Sequence, residues 1–273
     1  MDTSGSLLDQ PFIPYFKQWK IDTTLFPMTH LEYPVFLLTF YILSVLYYQP
    51  AKNKIADRSS KPKPEATFAQ KVVLSLHNLA LCIFSVLCFV STVPVIYNLM
   101  ANVGWTKASC GLIQKEYDSD FGFWSYLFYL SKYYEFADTF ILIWKGRRPI
   151  FLQKFHHIGA VVGMWLVITS RSTCGYIFVV FNSFIHSIMY LYYALTVWKI
   201  RIPFKSIITM LQMVQFVTGM SLGIVQWVFY GECLTVGDRI VICYHEIYVG
   251  CLFILFKLFF NKAYSKKIKK KGD

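Results

Sequence analysis

Seven apolar runs recur along the chain, near residues 34–50, 73–99, 121–144, 156–170, 175–198, 206–230 and 241–260. A helix needs roughly 17–25 such residues to cross about 30 Å of hydrocarbon. Because lipid satisfies no backbone polar group, only helices and closed barrels can span it, and runs of this length select helices. The pattern therefore predicts an all-α polytopic membrane protein with seven transmembrane helices. The fourth run is the short one, expected to begin close to the interface or to belong to a re-entrant arrangement. Composition agrees: 56% of the 273 residues are hydrophobic and only 15% charged, whereas a soluble domain carries about a quarter charged residues. No period repeats along the chain, so an inverted-repeat transporter gains no support. One membrane domain, residues 34–260, is expected between a lumenal segment, 1–33, and a basic tail, 261–273.

Lys and Arg concentrate in alternate connections. Lys52, Lys54, Arg58, Lys61 and Lys63 fill the Pro-punctuated linker after the first run, and Lys145, Arg147, Arg148 and Lys154 follow the third. Lys199, Arg201 and Lys205 follow the fifth, and six lysines end the chain. Since such loops stay cytoplasmic, the N-terminus is expected in the lumen and the C-terminus in the cytosol. MDTSGSLLDQ has neither the basic nor the apolar region of a cleavable signal peptide. Topology and anionic lipid headgroups account for the net charge of +12 without nucleic acid; the same cations could also hold substrate phosphates. Lys270 and Lys271, four and three residues from the end, resemble a dilysine retrieval signal of the endoplasmic reticulum. Seven cysteines form no CxxC; Cys110 and Cys233 fall in lumenal loops, where an oxidising environment permits a disulfide between them.

Ionisable groups in a bilayer are costly and face a protein interior or water. In "LSKYYEFADT", Lys132, Glu135 and Asp138 recur every third residue, with Thr139 next, so they run along one side of a helix. They read either as an ion-paired seam locking helices together or as the lining of a polar cavity. In "FLQKFHHIGA", Gln153, His156 and His157 project from one side of a helix start. In "FNSFIHSIMYLYY", Asn182 and His186 share a face continued by Met189, Tyr190 and Tyr193, and "TMLQMVQF" places Gln212 and Gln215 about a turn apart. Only a bundle enclosing a cavity reconciles these faces with hydrocarbon. Such a site suits an amphiphile with a charged head at the cytosol and an apolar tail in the bundle.

A di-iron centre needs more ligands than six histidines scattered over several runs supply, and no G-x-S-x-G elbow marks a serine hydrolase. No cysteine lies beside the histidine sets. Histidine can itself accept an acyl group as a reactive acyl-imidazole, and an apolar surrounding favours its neutral, nucleophilic form. A non-enzymatic seven-helix receptor or transporter for an amphiphilic ligand is the alternative.

"KYYEFADT", "QKFHH", "NSFIHSIMYLYY" and "TMLQMVQF", in that order over seven runs, resemble the ELO family of very-long-chain fatty acid elongases. The likeness covers residues 30–265. It implies six helices in a barrel around a substrate tunnel with the first helix outside, and a 3-oxoacyl-CoA synthase that joins acyl-CoA to malonyl-CoA, releasing CO2 and CoA, with no metal and no cofactor. By motif, His156 would accept the acyl group and His186 would face it. His157, Asn182 and the Lys132, Glu135 and Asp138 set would orient the imidazoles and the thioester. Gln153 stands where the family usually has a first histidine; it can donate and accept hydrogen bonds but cannot shuttle a proton. The family implies as partners the lipid bilayer and the ketoacyl reductase, dehydratase and enoyl reductase of the elongation cycle, with a homodimer as its assembly. "NSFIH" resembles members acting on polyunsaturated chains.

Overall fold

The structure is a computed structural model and describes residues 28–50, 66–109, 120–200, 202–203 and 205–269. Among them it is all-helical: α1 (Glu32–Tyr48), α2 (Phe68–Ser109), α3 (Asp120–Tyr134), α4 (Phe136–Trp144), α5 (Phe151–Ser170), α6 (Tyr176–Val197), α7 (Lys205–Tyr230) and α8 (Val236–Lys269), with single 3-10 turns before α6 and after α7. Five helices are long and apolar enough to cross a membrane: α2 over Phe68–Asn102, α5, α6, α7 and α8. The chain is thus a multi-pass membrane protein. α1, at 17 residues, is a shorter apolar helix. The third apolar run is divided between α3 and α4, of 15 and 9 residues, with the break at Glu135.

Local chemistry sets the ends. Thr67 and Gln70 exchange backbone-to-side-chain hydrogen bonds of 3.0 and 3.2 Å, and Thr235 and Asp238 do the same at 3.1 Å each. These capping boxes start α2 and α8 by satisfying amides that have no intrahelical partner. α4 closes with Gly146 N–H on the Ile143 carbonyl and Arg147 N–H on that of Leu142. That closure needs the left-handed φ of +66° that glycine adopts freely at 146. Arg171 and Lys199 finish α5 and α6 the same way, at φ +49° and +60°.

Two expectations change. α5 starts at Phe151 and runs 20 residues, so the short, re-entrant fourth run is one full helix that carries Gln153, Lys154 and both histidines in its first two turns. α8 extends past 260 to Lys269, so most of the basic tail continues a helix.

The helices neighbour one another in the order α2, α6, α7, α8, α5, α3 and back to α2, while α1 packs on α4 and α5. Adjacent in sequence, α5 and α6 thus face one another across that circuit. Tyr41, Phe121, Trp124, Phe128, Tyr129, Val161 and Met164 anchor the main core, and Phe216, Tyr248, Val249 and Leu252 a second one. Outward residues such as Phe36, Phe40, Leu43, Val228 and Phe229 are apolar and exposed, which suits lipid rather than water as their surroundings. Among the fully buried side chains are Lys132 and Gln226, each 1% exposed. Charge and amide at such depth point to the interior as the working part of the molecule.

Candidate active site

Lys132 sits in the last turn of α3, and Glu135 occupies the break before α4. The Lys132 ammonium donates to Glu135 Oε1 at 2.7 Å and to Asn182 Oδ1 on α6 at 3.0 Å, and it lies 3.8 Å from the centroid of the Phe128 ring. Three kinds of partner compensate the cation, which is what makes its burial tolerable. The same Glu135 oxygen is 3.5 Å from His186 Nδ1, so one carboxylate serves a lysine and an imidazole. Its other oxygen, Oε2, is buried with no hydrogen-bond partner among the described residues.

His156 faces His186 across the interior, with ring centroids 6.1 Å apart. Its Nδ1 lies 3.1 Å from the Tyr248 hydroxyl of α8, which itself donates to the His156 carbonyl at 2.9 Å. A hydroxyl has one proton. With that proton committed to the carbonyl, Tyr248 accepts from Nδ1–H, and the lone pair of His156 belongs to Nε2. The hydrogen-bond network thus assigns the tautomer, and it leaves the basic lone pair on Nε2.

The other residues divide. Gln153 donates to Thr139 Oγ1 at 3.3 Å, and Thr139 shares a 2.9 Å hydrogen bond with the Tyr41 hydroxyl of α1. His157 stands edge-on to Tyr41 and Phe136, and its Nδ1 is buried without a hydrogen bond among the described residues. Asn182 meets Lys132 rather than an imidazole. Asp138 parts from Glu135: it turns to His77 Nε2 on α2 at 2.9 Å and to the Tyr190 hydroxyl at 2.7 Å. Tyr190 stands edge-on to His186, 5.5 Å between centroids, with Tyr193 more exposed beyond it. The Gln212 amide meets the Met189 sulfur at 3.6 Å, and Gln215 is half-buried on the same helix. His156, His157 and His186 with Lys132, Glu135 and Asn182 therefore form one constellation, Asp138 with His77 and Tyr190 a second, Gln153 and Thr139 a third, and Gln212 with Met189 a fourth.

Tyr248, Tyr41 and His77 were not singled out from the sequence. Tyr248 and Tyr41 look like ordinary aromatic lining. His77 did carry a signal, an ionisable side chain within an apolar run, but it stands alone on its helix.

Cys233 is disulfide-bonded, and the five other described cysteines are free thiols. Cys110 lies outside the described residues, as do Lys270 and Lys271.

Tyr244 and Tyr248 stand between two apolar voids. A groove of about 540 Å³ runs between α1, α5 and α8, and a narrow inner cavity of about 30 Å³ lies among α5, α6, α7 and α8, with Gln226 and His245 in its wall. The two rings lie on Gly159 and Gly163 of α5, where an added Cβ would come within 2.1 and 3.1 Å of them. The close approach of α8 requires glycine at 159, whereas at 163 a Cβ would only be tight. Glu135, His156 and His186 each offer a ligand atom within 4.8 Å of the others, a set compact enough for a first-row metal ion. The Lys132 ammonium on the same carboxylate opposes a second cation there.

A model of the GNS1/SUR4 family matches residues 26–272. The chain is 30% identical over 265 residues to a Dictyostelium discoideum protein named fatty acid elongase A, covering 94% of this chain and 92% of that one. It is 32% identical over 213 residues to very long chain fatty acid elongase 4 of Trypanosoma cruzi (strain CL Brener), covering 75% and 74%. It is 31% identical over 197 residues to very long chain fatty acid elongase 6 of Drosophila melanogaster, covering 70% and 62%. No solved structure matches it.

Proposed function

The chain belongs to the GNS1/SUR4 (ELO) family and is a very-long-chain fatty acid elongase, and from that premise we propose that it is the condensing enzyme, a 3-oxoacyl-CoA synthase working through acylated His156. The observation that carries this reading is the pair of imidazoles from α5 and α6, 6.1 Å apart and backed by the buried Glu135–Lys132 pair. The closed order of helix neighbours, with α1 outside it, supports a six-helix barrel around a tunnel, and the third apolar run, carried by α3 and α4, supplies the seventh span.

In the first half-reaction, His156 Nε2 attacks the acyl thioester carbonyl. The carbon–sulfur bond breaks, CoA leaves as its thiol, and the Nδ1 proton directed at Tyr248 is given up as the neutral acyl-imidazole forms. His186, with Glu135 behind it to stabilise an imidazolium, is placed to carry the proton to the leaving thiolate. In the second, malonyl-CoA loses CO2, and the electron pair released forms an enolate that attacks the acyl carbon. The carbon–nitrogen bond breaks, 3-ketoacyl-CoA forms, and a proton taken up from solvent restores neutral His156. The unpaired Glu135 Oε2 and His157 Nδ1 are groups a substrate can satisfy. Lys145, beside the cytosolic mouth, has its pKa lowered by burial and then by Arg147; an anionic CoA phosphate would relieve the second effect. The 3-ketoacyl product needs a ketoacyl reductase, a dehydratase and an enoyl reductase to become a saturated chain, so those are the partners. The dilysine tail and the Lys/Arg asymmetry support the endoplasmic reticulum, with the C-terminus in the cytosol.

Purified protein given long-chain acyl-CoA alone should carry an acyl mass on the His156 peptide, and His156→Ala should carry none. An adduct on cysteine, or no adduct, would overturn the mechanism.

A further inference from the structure

A second hydrogen-bonded chain lies beside the histidine pair and is not used by the condensation just described. His77 Nε2 on α2 is 2.9 Å from Asp138 Oδ1 on α4, and the Tyr190 hydroxyl on α6 donates to Asp138 Oδ2 at 2.7 Å. His77 Nδ1 lies 3.2 Å from the hydroxyl of Tyr134, the last residue of α3. Four helices thus meet at one carboxylate and one imidazole. On the carboxylate, His77 Nε2–H donates to Oδ1 and Tyr190 donates to Oδ2, while His77 Nδ1 pairs with the Tyr134 hydroxyl, which can serve as donor or acceptor. Each carboxylate oxygen is taken by a different donor, so the directions of these two hydrogen bonds are set as well as the contacts. The last member touches the active site, since the buried Tyr190 ring stands at 82° to the His186 ring, 5.5 Å away.

We propose that His77 is a positioning residue for the condensation: through Asp138 it holds Tyr190, and through Tyr190 it sets the orientation of the His186 imidazole. The inference rests on the reading that His186 serves that reaction. A mere staple between helices would need only that four helices stay together. The chain here ends instead on an aromatic face against a reacting group, and a wall that sets the angle of an imidazole governs turnover more than substrate affinity. In Asp138, the "KYYEFADT" motif has a residue that points away from the Lys132–Glu135 pair, and this gives that residue its task.

The test is steady-state kinetics on purified full-length variants, with thermal midpoints measured alongside. His77→Ala should lower kcat by about 5- to 10-fold, the scale of one lost hydrogen bond, with KM for acyl-CoA and malonyl-CoA within about twofold. His77→Gln, whose amide N–H can replace Nε2–H, should recover most of the rate. Tyr190→Phe should show a similar fall, and the double variant little more than either single one, because both break the same chain. Unchanged kcat in His77→Ala overturns the proposal, as do losses that multiply in the double variant. So does a rate loss that His77→Gln fails to recover, the thermal midpoint falling equally in both. Acylation of His156 in wild type separates the two readings: its presence with an unchanged kcat in His77→Ala sinks only this inference, and its absence sinks the condensation mechanism beneath it.

Discussion

Glu135 oxygen Oε1 has two claimants, the Lys132 ammonium at 2.7 Å and His186 Nδ1 at 3.5 Å. Removing one member of a buried pair leaves an uncompensated charge, a loss of about 3–5 kcal/mol. Glu135→Ala should therefore lower the thermal midpoint in detergent more than the paired change Lys132→Met with Glu135→Leu, which removes both charges at once. Both proteins should be inactive, so stability is the readout; equal midpoints would show that the pair is not energetically coupled. Tyr248→Phe removes one hydroxyl that both accepts from Nδ1–H and donates to the His156 carbonyl. The tautomer is then no longer set, and the rate of acyl-adduct formation on His156 should fall by about 5- to 10-fold, followed by mass spectrometry after rapid quenching. The paired histidines, Glu135 and Tyr190 could be picked out from the sequence, but Tyr248, Tyr41 and His77 could not: spacing relates residues on one helix, whereas these three reach the site through tertiary packing.

Two glycines test how closely the helices must approach. A Cβ at Gly159 would stand 2.1 Å from the Tyr248 ring, while one at Gly223 would stand 2.2 Å from Glu246 Oε1. The first obstacle is a rigid aromatic buried between α5 and α8; the second is the end of a flexible side chain that can swing aside. Gly159→Ala should therefore abolish activity and lower the thermal midpoint, and Gly223→Ala should be far milder. Equal effects would contradict the packing of Tyr248 against α5. Thr67→Ala, which removes half of a capping box, should reduce stability by about 1 kcal/mol. Element by element, apolar length located α6 and α7 to within a residue or two. It missed the first turn of α5, 151–155, because Gln153 and Lys154 lower the count there: backbone hydrogen bonding continues the helix whatever the side chains are, but a hydropathy count stops at them. The break at Glu135 has no proline or glycine to announce it, so the third run reads as one helix.

For the whole molecule, alternating charge in the connections predicts that an epitope at the C-terminus is accessible in sealed microsomes and one at the N-terminus only after permeabilisation; the reverse pattern would overturn the assigned orientation. Dialysis against a strong chelator should leave condensation unchanged, because the proposed mechanism uses the imidazoles as nucleophile and proton carrier; lost activity restored by a metal ion would assign Glu135, His156 and His186 a ligand role instead. Seven runs of apolar residues announce a membrane protein, yet the circuit of neighbours depends on contacts between runs far apart in sequence, and these no periodicity reveals. The circuit has a further mechanical meaning. α5 and α6 form its opposite walls, yet only the short turn at 171–175 joins them, and Ser172 and Gly175 are anchored there against Asp238 and Val167. Any change in the angle between the two helices would pivot at that end. His156 and His186 lie about 20 and about 15 Å from that turn, at 1.5 Å per helical residue, so a small change of angle there would be magnified at the gap between the two imidazoles.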